Sequence, residues 1–273
     1  MNKILNFTIL DDTEIDLLRA TLNISQYIEY PDLDIEYYIS RVLGMIRDVR
    51  VMLPDNPCSL DIIETVNDYL FNKMGFRGNK DNYYEPGNSF LNDVVDKRTG
   101  IPITMSILYS YIANNIGLNS QGVCFPGHFI LRSNNNDGEY LIDPFNQGRI
   151  LTRSDCQSIL DNLFDGKITF EERFIECAHK NQILKRVINN LKNIYLTGRD
   201  YDNALKTVNL ILLLDPDDTE QLRDRALICI NLECYSQSLR DLEEYFSKAQ
   251  SDIHDYELRS YIPVLKNIVN NLN

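Results

Sequence analysis

The stretch Gly122-Val-Cys-Phe-Pro-Gly-His-Phe-Ile-Leu-Arg-Ser-Asn-Asn-Asn-Asp-Gly-Glu-Tyr-Leu-Ile-Asp143 decides how this chain is read. Apolar residues follow a period of two through Gly122–Phe125, His128–Arg132 and Glu139–Asp143. Two turn signals, Pro126-Gly127 and Asn134-Asn-Asn-Asp-Gly138, separate the three runs. The spacing predicts three short antiparallel strands, one beginning at His128 and one ending at Asp143. Just upstream, Gly100-Ile-Pro-Ile-Thr104 opens a helix that runs to Gly117. Pro102 stands where a first turn tolerates proline, and residues 103, 107, 108, 111 and 112 form a stripe broad enough to bury most of the helix. The sheet follows its helices without βαβ alternation, which implies an α+β domain.

Working outward, Ile35, Tyr38, Ile39, Val42, Met45, Ile46 and Val49 recur at spacings of three and four and predict a helix over 34–51, closed by Pro54 and Pro57. A second helix is expected from an N-cap at Ser59 to Met74, with Gly75 as its stop. Residues 76–88 (FRGNKDNYYEPGN) read as a long ordered loop leading to a short helix over 90–95. From Asn181 onward the pattern is helical, and a shift of 34 residues superimposes Tyr201 on Tyr235, Ala204 on Ser238, Leu205 on Leu239 and Val208 on Leu242. That period, with Tyr195 in the preceding helix and Asp215-Pro216 closing the unit, is the tetratricopeptide pattern. A final helix is expected over 256–272. The two parts divide at 178/179.

At 273 residues, 44% of them hydrophobic, the chain can bury a core in each part. With 27 Lys plus Arg against 40 Asp plus Glu, the net charge of −13 repels phosphate backbones and anionic bilayers, so neither nucleic acid nor membrane is an expected partner. The opening MNKILNFTILDDTEID lacks the charge and apolar pattern of a signal peptide, and no apolar run approaches a membrane span. Six cysteines without a CxxC pair read as reduced thiols, so a cytoplasmic location is expected. Glycine motifs for nucleotides are absent, and His179, His254 and Cys177 are too sparse for a metal site, so no cofactor and no metal are expected.

The order of a buried helix start, a His strand and an Asp strand is the order a Cys-His-Asp amidotransfer site needs. A helix amino terminus lowers a thiol pKa, an imidazole on a neighbouring strand takes the proton, and a carboxylate fixes the tautomer. Leu33-Asp34, Gly75-Phe-Arg-Gly-Asn79, Asn88-Ser-Phe-Leu91, Arg98, Gly100-Ile-Pro-Ile103, Gly122-Val-Cys-Phe-Pro-Gly-His-Phe129 and Ile142-Asp-Pro-Phe145 together resemble the SirB-type bacterial family, a transglutaminase-like domain fused to tetratricopeptide repeats. The resemblance spans nearly the whole chain. It implies a transglutaminase-like (papain-like) α+β domain with a small antiparallel sheet, followed by all-α helical hairpins, and His128 and Asp143 in the places of the catalytic pair. It also puts the cysteine position at Pro102 or Ile103, neither of which is a nucleophile.

Other nucleophiles deserve weighing. Cys124 lies four residues before His128 on one extended segment, roughly 13 Å away at full extension. Thr104 occupies the first helical turn, where a hydroxyl more often bonds its own backbone. His128 with Asp143 is read as a functional or vestigial pair, against the alternative of a purely structural tie between strands. Asn88, Arg98, Tyr83 and Tyr84 could line the pocket or simply hold a loop. The leading expectation is a non-catalytic or strongly altered transglutaminase-like interaction module, binding a protein or peptide through the repeat concavity or the His128 pocket. The alternative is a hydrolase or acyl transferase acting on amide bonds of proteins, with His128 and Asp143 activating Thr104 or water. Oligomeric state is not legible.

Overall fold

A computed structural model describes residues 11–248 and 255–272; His254 and most of the opening segment lie outside the described residues. The chain separates into two compact units, Met1–Val187 and Ile188–Asn273, with the division inside a helix nine residues beyond the 178/179 boundary read from sequence.

The first unit begins with α1 (Leu17–Ile28), α2 (Ile35–Met52) and α3 (Ser59–Asn67). Asp16 and Asp34 cap α1 and α2 by accepting from Arg19 N and Tyr37 N. The second predicted helix does reach the 73–74 region, but its last turn, Asp68–Lys73, widens to π geometry. Two residues of β1 (Arg77–Gly78) pair in parallel with β2 (Thr99–Gly100), on either side of α4 (Leu91–Lys97). Pro102 opens α5 (Pro102–Asn114), whose Ile103, Ile107, Leu108, Tyr109 and Ile112 are all buried.

The sheet holds four strands in sequence order: β3 (Ser120–Val123), β4 (Ile130–Asn135), β5 (Gly138–Asp143) and β6 (Arg149–Leu151), all antiparallel. β6 is a fourth strand where the spacing predicts three, and β4 begins at Ile130, two residues after the His128 start expected from sequence. His128 instead stands in the bend before Ile130, because Phe125-Pro126-Gly127-His128 closes a turn in which His128 N donates to Phe125 O at 3.1 Å and Gly127 takes φ +67°. Proline second and a left-handed glycine third suit a type II turn. The period of two then distributes the core. Leu131 and Ile142 join the large cluster built around α5, whereas Ile130 and Leu141 meet Cys156 and Leu160 of α6 (Arg153–Phe164) on the opposite face. Each fully buried Leu or Ile contributes about 1.5–3 kcal/mol.

α7 (Lys180–Gly198) contains the division between the units. In the second unit α8 (Tyr201–Leu214) packs on α9 (Thr219–Asn231), α9 on α10 (Tyr235–Lys248), and α10 on α11 (Asp255–Leu272). The 34-residue register is visible directly: Tyr201 and Tyr235 each begin a helix, and Ala204, Ser238, Val208 and Leu242 are fully buried. The small residues at 204 and 238 let neighbouring helices approach, and Ser238 Oγ donates to Ala226 O at 2.9 Å. No helix among the described residues is long and apolar enough to cross a membrane.

Candidate functional site

Two ends of the sheet create the site. The 125–128 turn is clamped from behind by Arg186, which donates to His128 O at 2.6 Å and to Phe125 O at 3.2 Å. With the main chain fixed, the imidazole presents Nε2 to Asp143 Oδ2 at 2.9 Å. Asp143 ends β5 and caps the short 3₁₀ turn Pro144–Asn146, so its Oδ1 accepts from the amides of Phe145 (3.1 Å) and Asn146 (3.3 Å), and Oδ2 also accepts from Asn146 Nδ2 at 2.7 Å. Burial pushes the Asp143 carboxyl up, but hydrogen bonds and charge from His128, with those from Asn146, outweigh it and hold the group below the usual carboxylate range. Asp143 is thus an ionised acceptor placed to receive the Nε2–H of His128, which in a neutral imidazole is the arrangement that puts the lone pair on Nδ1, as a general base needs.

His128 borders a cavity of about 550 Å³, lined also by Lys80, Tyr83, Tyr84, Pro102, Gly127, Phe145, Asn146 and, from α6, Ile159, Asn162 and Leu163. The rings of Tyr84, Tyr83, Phe145 and His128 follow one another edge to face at 5.3, 6.2 and 6.0 Å. Lys80 Nζ donates to Asn146 Oδ1 at 2.9 Å and stands 5.9 Å from the Phe145 ring centroid. Asn146 therefore links the Lys80 ammonium to the Asp143 carboxylate.

Of the residues singled out from sequence, the structure places His128, Tyr83 and Tyr84 in the lining of this cavity, with Asp143 buried against His128 and outside the lining. Of the two places read for the missing cysteine, Pro102 lines the cavity and Ile103 is buried in the core. Thr104 is fully buried, its hydroxyl donating to Asn88 O at 2.7 Å and accepting from Ile101 N at 3.2 Å. Asn88 is buried as well: its Nδ2 donates to Asn82 O (2.6 Å) and Tyr83 O (3.2 Å), and its Oδ1 accepts from Asn79 Nδ2. Asn88 and Thr104 thus fasten the tyrosine loop to the head of α5. Arg98 terminates α4 in the left-handed region (φ 59°) and donates to Met74 O at 2.8 Å, away from the cavity lining. Cys124 packs half-buried against the large core. Lys80, Phe145, Asn146 and the α6 face line the cavity without being expected there from sequence; the Asp-Pro-Phe-Asn run after β5 is the available signal for two of them.

Residues 36–189 match the model of the transglutaminase-like superfamily, and residues 191–262 match a tetratricopeptide repeat. The chain belongs to the transglutaminase-like superfamily. More narrowly, it is 32% identical over 265 residues to a UPF0162 protein of Xylella fastidiosa, covering 96% of this chain and 94% of that one. A UPF0162 protein of Vibrio cholerae is 23% identical, over 89% of each chain. Human F-box only protein 21 is 28% identical across 63% of this chain, a match that takes in 28% of that protein. No solved structure matches.

Proposed function

We propose that this transglutaminase-like protein acts as an interaction module and not as an acyl transferase, its cavity taking a segment of a partner protein while the repeats offer a second binding surface. The observation that carries the reading is Pro102 at the cavity wall with His128. At the head of α5 a proline supplies neither a nucleophile nor a backbone N–H that could receive a developing oxyanion. No Cys, Ser or Thr is among the described residues that line the cavity. Stacked helical hairpins of the tetratricopeptide kind present concave faces suited to peptides, which supports a partner of that class.

The intact 2.9 Å His128–Asp143 bond favours a second reading, in which the imidazole activates water against an amide. One assay separates the two. Incubating the purified chain with a glutamine-containing peptide, with and without a primary amine, is expected to release no ammonia above the buffer rate. Ammonia release that disappears in His128→Ala would overturn the interaction reading in favour of a water-activating hydrolase.

A further inference from the structure

The charge of the cavity runs against the charge of the chain. Acidic residues exceed basic ones by 13, yet no Asp or Glu is among the described residues that line the cavity, which also carries the ammonium of Lys80. No carboxylate among the described residues pairs with Lys80; its Nζ is met by the neutral Asn146 Oδ1. The nearby Asp143 is 1% exposed and already saturated by four hydrogen bonds from His128, Phe145 and Asn146, so it presents no acceptor to the cavity. The same cavity also has an aliphatic wall. Ile159 and Leu163 sit one turn apart on α6; Leu163 is 49% exposed, and its Cδ1 lies 2.9 Å from where a Cβ on Gly127 would stand, so the glycine leaves that side chain its room. An ammonium without a counter-charge in one cavity with an aliphatic surface asks for a ligand that carries both a carboxylate and a branched alkyl group. A glutamate or aspartate side chain brings the charge without the alkyl group. The last residue of a peptide, when it is leucine or a similar residue, brings both from one Cα.

We infer that the cavity binds the free C-terminal carboxylate of a partner polypeptide ending in an aliphatic residue, with Lys80 receiving the carboxylate and Ile159 and Leu163 the side chain. This rests on the interaction reading above and specifies its ligand.

The test measures binding of N-acetyl-Gly-Leu to the full chain by calorimetry, against the same dipeptide as its C-terminal amide and against 4-methylpentanoate. The acid is expected to bind about tenfold more tightly than the amide, as a charge-assisted contact provides. Lys80→Gln should erase that preference with unchanged circular dichroism and melting temperature, and Leu163→Asp should weaken both peptides. Equal binding of acid and amide, both lost in Leu163→Asp, would remove the chain-end inference yet leave the cavity as a protein-binding site. Binding of 4-methylpentanoate as tight as that of the peptide would overturn the inference in favour of a free carboxylic acid, and no binding of the dipeptide acid would overturn it outright.

Discussion

At the head of α5, Pro102 lines the same cavity as His128. A thiol there would stand in the first turn of α5 and share the cavity with the imidazole, so Pro102→Cys should yield a thiol whose alkylation by iodoacetamide at pH 7 is at least about tenfold faster than that of exposed Cys58. Adding His128→Ala should return it to the ordinary rate, as read by mass spectrometry of the labelled peptides. Asp143 supplies a second prediction. Asp143→Asn turns an NH₂ toward the His128 and Asn146 donors and should cost about 1–3 kcal/mol near neutral pH. The sign of the pH dependence follows from the lowered carboxyl: its folded value lies below its unfolded one, so the contribution is complete above the ordinary Asp value of about 4 and fades as pH falls through the folded value. Melting curves of the parent and the Asn variant should converge on acidification below pH 4 and stay parallel above it.

Among the elements, the two-residue pair β1–β2 matters more for the site than its size suggests. Arg77 N donates to Arg98 O and Asn79 N to Gly100 O, both at 2.9 Å, which delivers Lys80 to the mouth beside α5. Gly78 faces Phe145: a Cβ there would stand 2.5 Å from the ring and 2.6 Å from the Phe145 carbonyl oxygen. Gly78→Ala must therefore displace the 3₁₀ turn that holds Asp143, and should cost about 1–3 kcal/mol in denaturant unfolding while weakening ligand binding in the cavity. Such a contact was not legible from sequence, since two-residue strands leave no periodicity and the partners are 67 positions apart. β6 was missed for a related reason, being three residues that follow a left-handed Gln147-Gly148 turn with no alternation to count. What was legible had long periods behind it: α2, α5, the β4–β5 hairpin and the 34-residue repeat. His128 and Asp143 stand out in the sequence through the order of helix start, His strand and Asp strand, and their side chains meet at 2.9 Å, whereas the Ile159–Leu163 wall comes from a helix whose partly exposed apolar residues look like any amphipathic face. Thr104 and Asn88 stood out as polar residues at a helix start and loop end, and the burial that turns them into fasteners is a tertiary fact.

For the molecule as a whole, electrostatics acts through a few buried pairs more than through the net charge of −13. In the second unit Arg225 lies between three helices: Nε and Nη2 form a two-pronged pair with Asp241 at 2.8 and 2.7 Å, and Nη1 donates to Asn209 Oδ1 at 3.0 Å, so α8, α9 and α10 share one guanidinium. Asp241 is 1% exposed and otherwise receives Gln237 Nε2. A short solenoid has few nearest-neighbour interfaces to share a loss, so removing this cation strands a carboxylate in the repeat core. Arg225→Leu should destabilise the second unit by about 3–5 kcal/mol, whereas Arg225→Leu with Asp241→Leu should recover much of that, since the buried charge is then gone from both sides. Segment-resolved hydrogen exchange is the measurement: in the single variant protection should collapse across 201–248 and be restored in the double, and a double variant as labile as the single would show that the pair contributes by packing the three helices and not by neutralising Asp241.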